Sequence, residues 1–190
     1  GYSKEWEIES AARGLRAVKN VPEAFEVYHE AQTVELFEKL GVLAKNEIEA
    51  RFEIFNETYV KKLQIEARII GDICLNHVIP AAVRYQNVLI ENVKGIKDIF
   101  GDGYLDFCSA EIETLKKIST YINRISMDVE ELVEARKRAN RIENIAERAK
   151  VYSHSVKDMM DKVRDSADHL EMLIDDEMWP LPKYRELLFF

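Results

Sequence analysis

Residues that interrupt helices are scarce in this sequence, which has seven glycines and four prolines among 190 residues. Several of them are grouped at Gly41, Pro80, Gly101 to Gly103 and Pro180 to Pro182. No segment shows the strict alternation of apolar and polar residues that a half-buried strand requires. These absences predict an all-α protein with long helices.

Other absences exclude classes of function. No apolar run approaches the roughly 18 residues of a membrane span, and the net charge of −8 argues against nucleic acids and anionic membranes as partners. Cys74 and Cys108 form no CxxC pair, which favours reduced, buried thiols, with a disulfide between them as the alternative. No signal peptide is present, and "GYSKEW" lacks an initiator methionine, so we expect an artificial boundary or a processed end there and a cytoplasmic protein.

Short helices are expected before Gly41. The pattern predicts one helix over 4–19, a second with Pro22 in its first turn, and a third that ends at Gly41. We therefore expect residues 1–41 to form a unit of short helices, and residues 42–190 to form a helical domain with an extended apolar tail at 179–190.

Longer periodic patterns follow. Apolar residues recur every three or four positions over about 45–99, with Asn46 and Glu49 as a capping box and a kink at Pro80. A loop is expected at "FGDGYLD", then a helix over about 107–140 and a last helix over about 143–178 that stops at Met178. The second long helix carries a seam at Leu115, Ile118, Ile122, Ile125, Val129 and Leu132. Three apolar stripes are hidden only by mutual packing, so we expect an elongated antiparallel bundle of three long helices, the first kinked at Pro80 and preceded by short helices.

The residues of a catalytic or metal site are hard to find. The GxG at Gly101 lacks the third glycine of a dinucleotide-binding loop. A di-iron bundle needs two Glu-x-x-His motifs, and only Glu26 with His29 has that spacing. His77 is expected to bond carbonyls freed near Pro80, and Asp165 with His169 to form a surface pair. The residues alone therefore predict no catalytic, cofactor-binding or metal-binding residue, and favour an interaction or structural module.

The ending "DDEMWPLPKYRELLFF" is unusually apolar for a chain terminus. We expect its large side chains to dock in a groove, as interface residues, because aromatic side chains are frequent anchors at interfaces. Those proposed for this role are Trp179, Leu181, Tyr184, Leu188 and Phe189. The acidic residues from Glu171 to Glu177 are more simply a solvated face than a site for a cation or a Lys/Arg partner.

Three stretches together resemble the C-terminal region of type III glutamine synthetases. They are "GYSKEWEIESAARGL", the segment from "LFEKLGVLAKNEIEAR" to "NHVIPAAVRYQN", and "DDEMWPLPKYRELLF". The resemblance covers essentially the whole chain, although 105–175 adds little to it. It implies that the parent enzyme is a bacterial, ATP-dependent glutamate–ammonia ligase of nitrogen metabolism, working at divalent metals such as Mg²⁺ between subunits of a ring.

The family's catalytic residues are expected upstream of this segment. The family's late Arg-x-Glu-x-Arg cluster has only a partial counterpart, because "RFEIF" places Phe55 where the second arginine would be. No catalytic residue is carried over, and Phe52 and Phe55 are expected in the core. The implied fragment is inactive alone and serves assembly, with its own catalytic domain and other subunits of a homo-oligomer as partners.

Two other functions stay open at this point. One is a free-standing helical adaptor that binds a protein through the seam or the tail. The other is a regulatory site for a nucleotide or metabolite, for which the sequence offers no pocket signature.

Overall fold

All regular structure in the described residues is helical, which confirms the all-α class. The computed structural model describes residues 3–183 and 186–188. The α-helices are α1 (Lys4–Ala12), α2 (Val21–Glu26), α3 (Ala31–Lys39), α4 (Lys45–Ile73), α5 (Ile79–Phe100), α6 (Leu105–Asn140), α7 (Ile145–Val151) and α8 (Lys157–Leu173). Two π-helical segments, Cys74–Val78 and Tyr152–Val156, and three 3₁₀ segments, Val27–His29, Gly101–Tyr104 and Glu186–Leu188, complete the described helices.

The short N-terminal helices have ordinary caps. Pro22 lies in the first turn of α2, and Gly41 has a φ of +65° just after α3, as the sequence predicts. The prediction of one helix over 4–19 is wrong, because α1 ends at Ala12. Gly14 adopts a φ of +71°, a left-handed conformation that ends helices.

The cap of α4 lies two residues before the one that the sequence predicts at Asn46 and Glu49. The helix begins at Lys45, and the backbone N–H of Ala44 donates to the Glu47 carboxylate at 2.8 Å. Glu47 therefore has the capping role that the sequence analysis gave to Glu49. A shift of two positions is ordinary at a helix end, where nearby polar residues readily exchange capping roles.

Helical structure continues through Pro80. In the π-segment before it, the N–H of Ile79 donates to the carbonyl of Cys74, five residues back. A wider helical turn of this kind accommodates a proline that has no N–H to donate. His77 lies exposed on this segment. A kink at Pro80 stays a prediction.

Four of the six predicted seam residues of α6 are in the core. Ile118, Ile125, Val129 and Leu132 are buried, whereas Leu115 and Ile122 are only half-buried. The expected loop at "FGDGYLD" is instead a short 3₁₀ helix followed at once by α6, because Gly101 takes a positive φ of 59° and turns the chain directly.

Contacts divide the chain into two compact units. One consists of Gly1–Leu63 with Ala139–Ser155, and the other of Gln64–Arg138 with Val156–Phe190. The boundary predicted at residue 41 stays a prediction.

The first unit is held by aromatic and polar contacts. The ring of Phe55 stacks on Phe25 with 5.4 Å between ring centroids, and Tyr28 lies at 5.5 Å from the same ring. Tyr152 is fully buried, and its hydroxyl donates to Asn140 Oδ1 at 2.8 Å. Phe25, Tyr28 and Phe55 are half-buried, and aromatic side chains that pack in this way give a small helical unit much of its stability.

The second unit contains close helix packing. A Cβ at Gly71 would lie 3.4 Å from Val129 Cγ1, so α4 passes near α6 at a residue without a side chain. The Gln86 amide donates to Ser119 Oγ at 2.7 Å, which joins α5 to α6. No helix in the described part of the chain combines the length and the apolar character needed to cross a membrane.

Candidate interface segment

The last helix ends earlier than the sequence predicts. Helix α8 stops at Leu173, and Ile174 is extended, with φ −85° and ψ 143°. The carbonyl of Asp175 accepts the N–H groups of Met178 and Trp179, and its carboxylate accepts the N–H of Glu177. The prediction of a helix to Met178 is therefore wrong, because Asp175 forms a turn through its own side chain before the prolines are reached.

Lys183 returns to the end of α8. Its Nζ donates to the carbonyl of Ile174 at 2.9 Å and lies 2.6 Å from Asp176 Oδ1, and its side chain is only 11% exposed. A cation at this position bonds the carbonyl directly after α8 and offsets the negative pole of the helix. The acidic run from Glu171 to Glu177 thus has a lysine partner at Asp176, rather than being only a solvated face.

Sequence reasoning missed this lysine contact. The available signal was one basic residue six positions after an acidic run, with two prolines between to limit the chain's freedom. Because acidic and basic residues at such spacings are common on surfaces, the contact between Lys183 and Asp176 is seen only in the structure.

The proposed interface residues have different environments. Trp179 is 9% exposed, and its indole Nε1 has no hydrogen-bond partner within the described residues. Leu181 and Leu188 are exposed, the second at 74%. Tyr184 and Phe189 lie outside the described residues. Trp179 is therefore held within its own chain, whereas the two leucines are available for a partner.

The candidate metal-ligand spacing at Glu26 and His29 is not a joint site. Glu26 pairs with Lys150, and the His29 ring packs on Phe52 with 4.2 Å between ring centroids. Across residues 3–183 and 186–188, no group of three or more His, Cys, Asp or Glu side chains is placed to hold a metal ion. Phe52 and Phe55 pack against aromatic rings, but both are half-buried and lie at the edge of the core in which the sequence predicts them.

His169 lies one turn after Asp165, as predicted. Its Nδ1 is 2.7 Å from the Asp165 carbonyl oxygen and 3.8 Å from that residue's carboxylate. The ring also stacks on Tyr121 at 4.8 Å. This geometry attaches α8 to α6 within the second unit.

Both cysteines are free and buried. Burial raises the pKa of the Cys74 thiol to about 11, and the nearby carboxylate of Asp168 adds to the shift. Burial likewise raises the pKa of Cys108, with a smaller contribution from Glu111. A thiolate is the reactive form of cysteine, so neither side chain is suited to nucleophilic chemistry at neutral pH.

The Cys74 pKa predicts a loss of stability at alkaline pH. Because the folded protein holds the proton more tightly than the unfolded chain, the stabilisation is present below the unfolded pKa and lost as pH rises towards 11. We expect the unfolding free energy of the native chain to fall by about 2–3 kcal/mol more than that of Cys74→Ala between pH 8 and 11. Urea denaturation across this range tests it, and parallel pH profiles for the two proteins would contradict it.

Comparisons with known proteins give the family. Residues 1–97 match the family model described as the glutamine synthetase C-terminal domain. Over its full length the chain is 44% identical to a glutamine synthetase of Bacteroides fragilis (strain YCH46). It is also 30% identical to a type-3 glutamine synthetase of Dictyostelium discoideum and 30% identical to a glutamine synthetase of Butyrivibrio fibrisolvens.

The chain spans 26% of the length of the Bacteroides and Dictyostelium relatives and 27% of the Butyrivibrio relative. The matches therefore concern one part of a longer enzyme, and the family model covers about half of the chain. The chain belongs to the glutamine synthetase C-terminal domain family.

Proposed function

We propose that this chain is the C-terminal part of a type III glutamine synthetase, an ATP-dependent glutamate–ammonia ligase, and that it stabilises the assembled enzyme. The observation that carries this proposal is the alignment of all 190 residues with about a quarter of each relative. In this proposal the upstream part supplies the catalytic groups and binds ATP and the divalent metal. The enzyme works in the cytoplasm as a homo-oligomer.

The proposal includes an antiparallel arrangement of the long helices. Its support is the contact of Gln86 with Ser119 and with the Leu115 carbonyl, at 2.7 and 3.4 Å. These residues lie at comparable distances before and after the 3₁₀ turn, as expected for the two arms of a helical hairpin. A kink at Pro80 is part of the same proposal, supported by the π-helical segment that precedes the proline.

The N-terminal helices are proposed to pack on the upstream catalytic domain. They expose Ile8, Leu36, Leu40 and Val42, each at more than half of its surface. They also form an apolar pocket lined by Val18, Ala24, Val27, Tyr28, Thr33 and Phe37. Exposed apolar residues at this density indicate a surface that another protein segment covers.

The tail is proposed to contact another subunit through its exposed leucines. Trp179 and Lys183 fix the start of the segment on α8, which leaves Leu181 and Leu188 to project from a defined base. A segment held at one end loses less conformational entropy when it binds. This arrangement supports a role in assembly.

Two activity measurements test the proposal, one on the complete synthetase and one on this chain alone. The complete enzyme is expected to form glutamine from glutamate, ammonia and ATP, and the 190-residue chain alone is expected not to. Turnover by the isolated chain would contradict the proposal. So would a complete enzyme that makes no glutamine.

Deletion of residues 184–190 from the complete enzyme tests the assembly role and leaves Trp179 and Lys183 in place. We expect a smaller light-scattering mass or a lower melting temperature. The matched control replaces Met172, an exposed apolar residue of α8, with serine. A ring of unchanged mass and melting temperature after the deletion would contradict a role for the tail in assembly.

A further inference from the structure

A second apolar surface lies at the turn between α5 and α6. Four large side chains on either side of the 3₁₀ segment, Ile99, Phe100, Leu105 and Phe107, are exposed at 76%, 47%, 52% and 57% of their surface. The rings of Phe100 and Phe107 stack at 4.1 Å with an interplanar angle of 19°. We call these four residues the tip cluster.

The tip cluster is separate from the core of its unit. The backbone of Cys108 leaves helical geometry, with φ −135° and ψ 22°, and the Cys108 side chain is fully buried. The core therefore begins at Cys108, one residue beyond Phe107. Phe100 and Phe107 contact each other, yet all four side chains of the tip cluster stay exposed. Packing within the unit therefore does not cover this surface.

Acidic residues surround the tip cluster. Asp98, Asp102 and Asp106 are all exposed, and none of them forms an ion pair within the described residues. Lys97 is also exposed, and its Nζ lies over the ring of Tyr104, 5.4 Å from the ring centroid, so one cation stands beside three carboxylates. The surface is thus an apolar centre with a negatively charged edge.

The charge restricts the partner. Two copies of the tip would bring like-charged carboxylates together, which is unfavourable when the intervening surface is desolvated. An anionic lipid surface would be repelled in the same way. A protein surface with an apolar centre and a Lys/Arg edge is complementary to this one.

We propose that the tip cluster docks on such a basic-edged apolar surface in the upstream part of the synthetase, within the assembled enzyme. This inference rests on the proposed function, because the relatives are about four times as long as this chain. In the assembled enzyme the upstream part, from the same chain or from a neighbouring subunit, offers the largest protein surface to the tip cluster. The stacked phenylalanines are the centre of the contact, and the three aspartates align it.

A thiol placed at the tip measures the docking. Gly103 has room for a side chain, since a Cβ there meets no atom within 4 Å, and both native cysteines are buried. In the complete enzyme, we expect the thiol of Gly103→Cys to react with a maleimide at least about tenfold more slowly than after unfolding in urea. Tandem mass spectrometry distinguishes the label at position 103 from the label at Cys108, which lies on the same tryptic peptide.

The control thiol is Met127→Cys, on the exposed side of α6 and about 30 Å along the helix from Leu105. Adding Phe100→Ser with Phe107→Ser should restore fast labelling at position 103 and leave the rate at position 127 unchanged. Asp98→Asn, Asp102→Asn and Asp106→Asn together should also speed labelling at position 103, and 0.5 M salt should do the same.

The outcomes separate the two proposals. Labelling at position 103 that is fast in the native enzyme would overturn docking of the tip, even in an enzyme that makes glutamine. Slow labelling at position 103 that is unchanged by the three asparagine substitutions and by salt would contradict a Lys/Arg edge on the partner surface. An enzyme without glutamine synthesis would overturn the proposed function, whatever the labelling rates.

Discussion

Replacing Tyr152 with alanine is expected to lower the free energy of unfolding by about 3–5 kcal/mol, the cost of removing a large buried aromatic side chain. Tyr152 is fully buried in the π-segment that follows α7, and its hydroxyl donates to Asn140 Oδ1 at 2.8 Å. The loss combines the transfer of apolar surface with the cavity left behind. Urea denaturation monitored by circular dichroism measures it as a shift of the midpoint.

The matched variant Tyr152→Phe isolates the hydroxyl. Because Asn140 is exposed and water can replace the lost donor, we expect a cost of about 0.5–1.5 kcal/mol. The ring then accounts for the rest of the alanine effect. An alanine variant within about 1 kcal/mol of the native chain would show that the ring is not part of the core.

The long helices were predictable from the sequence, because the spacing of apolar residues and the positions of glycine and proline indicate the same segments. Over α4, α5 and α6 the apolar residues recur every three or four positions, and Gly101 marks the turn between α5 and α6. The burial of Ile118, Ile125 and Leu132 follows from the same spacing. Such patterns are reliable because one apolar face must be hidden whatever its partner is.

The π-helical segments were not predictable in this way. Cys74–Val78 and Tyr152–Val156 each insert one residue into a helical turn, which the spacing of apolar residues tolerates without a visible break. At the first segment Pro80 signals a disturbance, but it does not specify which turn widens. At the second no glycine or proline is present, and only the buried Tyr152 indicates a constraint.

The candidate interface was predictable in location and not in detail. The apolar ending drew attention to Trp179, Leu181 and Leu188, yet composition does not distinguish a buried anchor from an exposed one. The contact of Lys183 with Ile174 depends on the turn at Asp175, which local side-chain bonding sets. The tip cluster was missed because its residues flank a turn, where the helical period gives no information on exposure.

Trp179→Ala is expected to release the C-terminal segment from the end of α8. The Trp179 ring is buried, and its Nε1 has no partner within the described residues, so apolar burial rather than a side-chain hydrogen bond retains the ring. Loss of the ring should cost about 3 kcal/mol or more. That free energy corresponds to an increase of about a hundredfold in the population of the released segment.

The rate of limited trypsin cleavage after Lys183 measures the population of the released segment. The Lys183 side chain is 11% exposed and bonded to Ile174 and Asp176, so the native chain should be cut slowly after this residue. Cleavage of Trp179→Ala should be faster by about the same hundredfold where opening is rapid relative to cleavage. Mass spectrometry identifies the product that ends at Lys183.

Two variants distinguish the cause of the release. Trp179→Phe keeps most of the apolar surface and removes an unpartnered buried N–H, whose desolvation is unfavourable. It should therefore be cut at nearly the native rate. Trp6→Ala, at a more exposed tryptophan in α1, should leave cleavage after Lys183 unchanged. Rapid cleavage of Trp179→Phe would instead mean that the indole N–H has an acceptor, and that a hydrogen bond holds the segment in place.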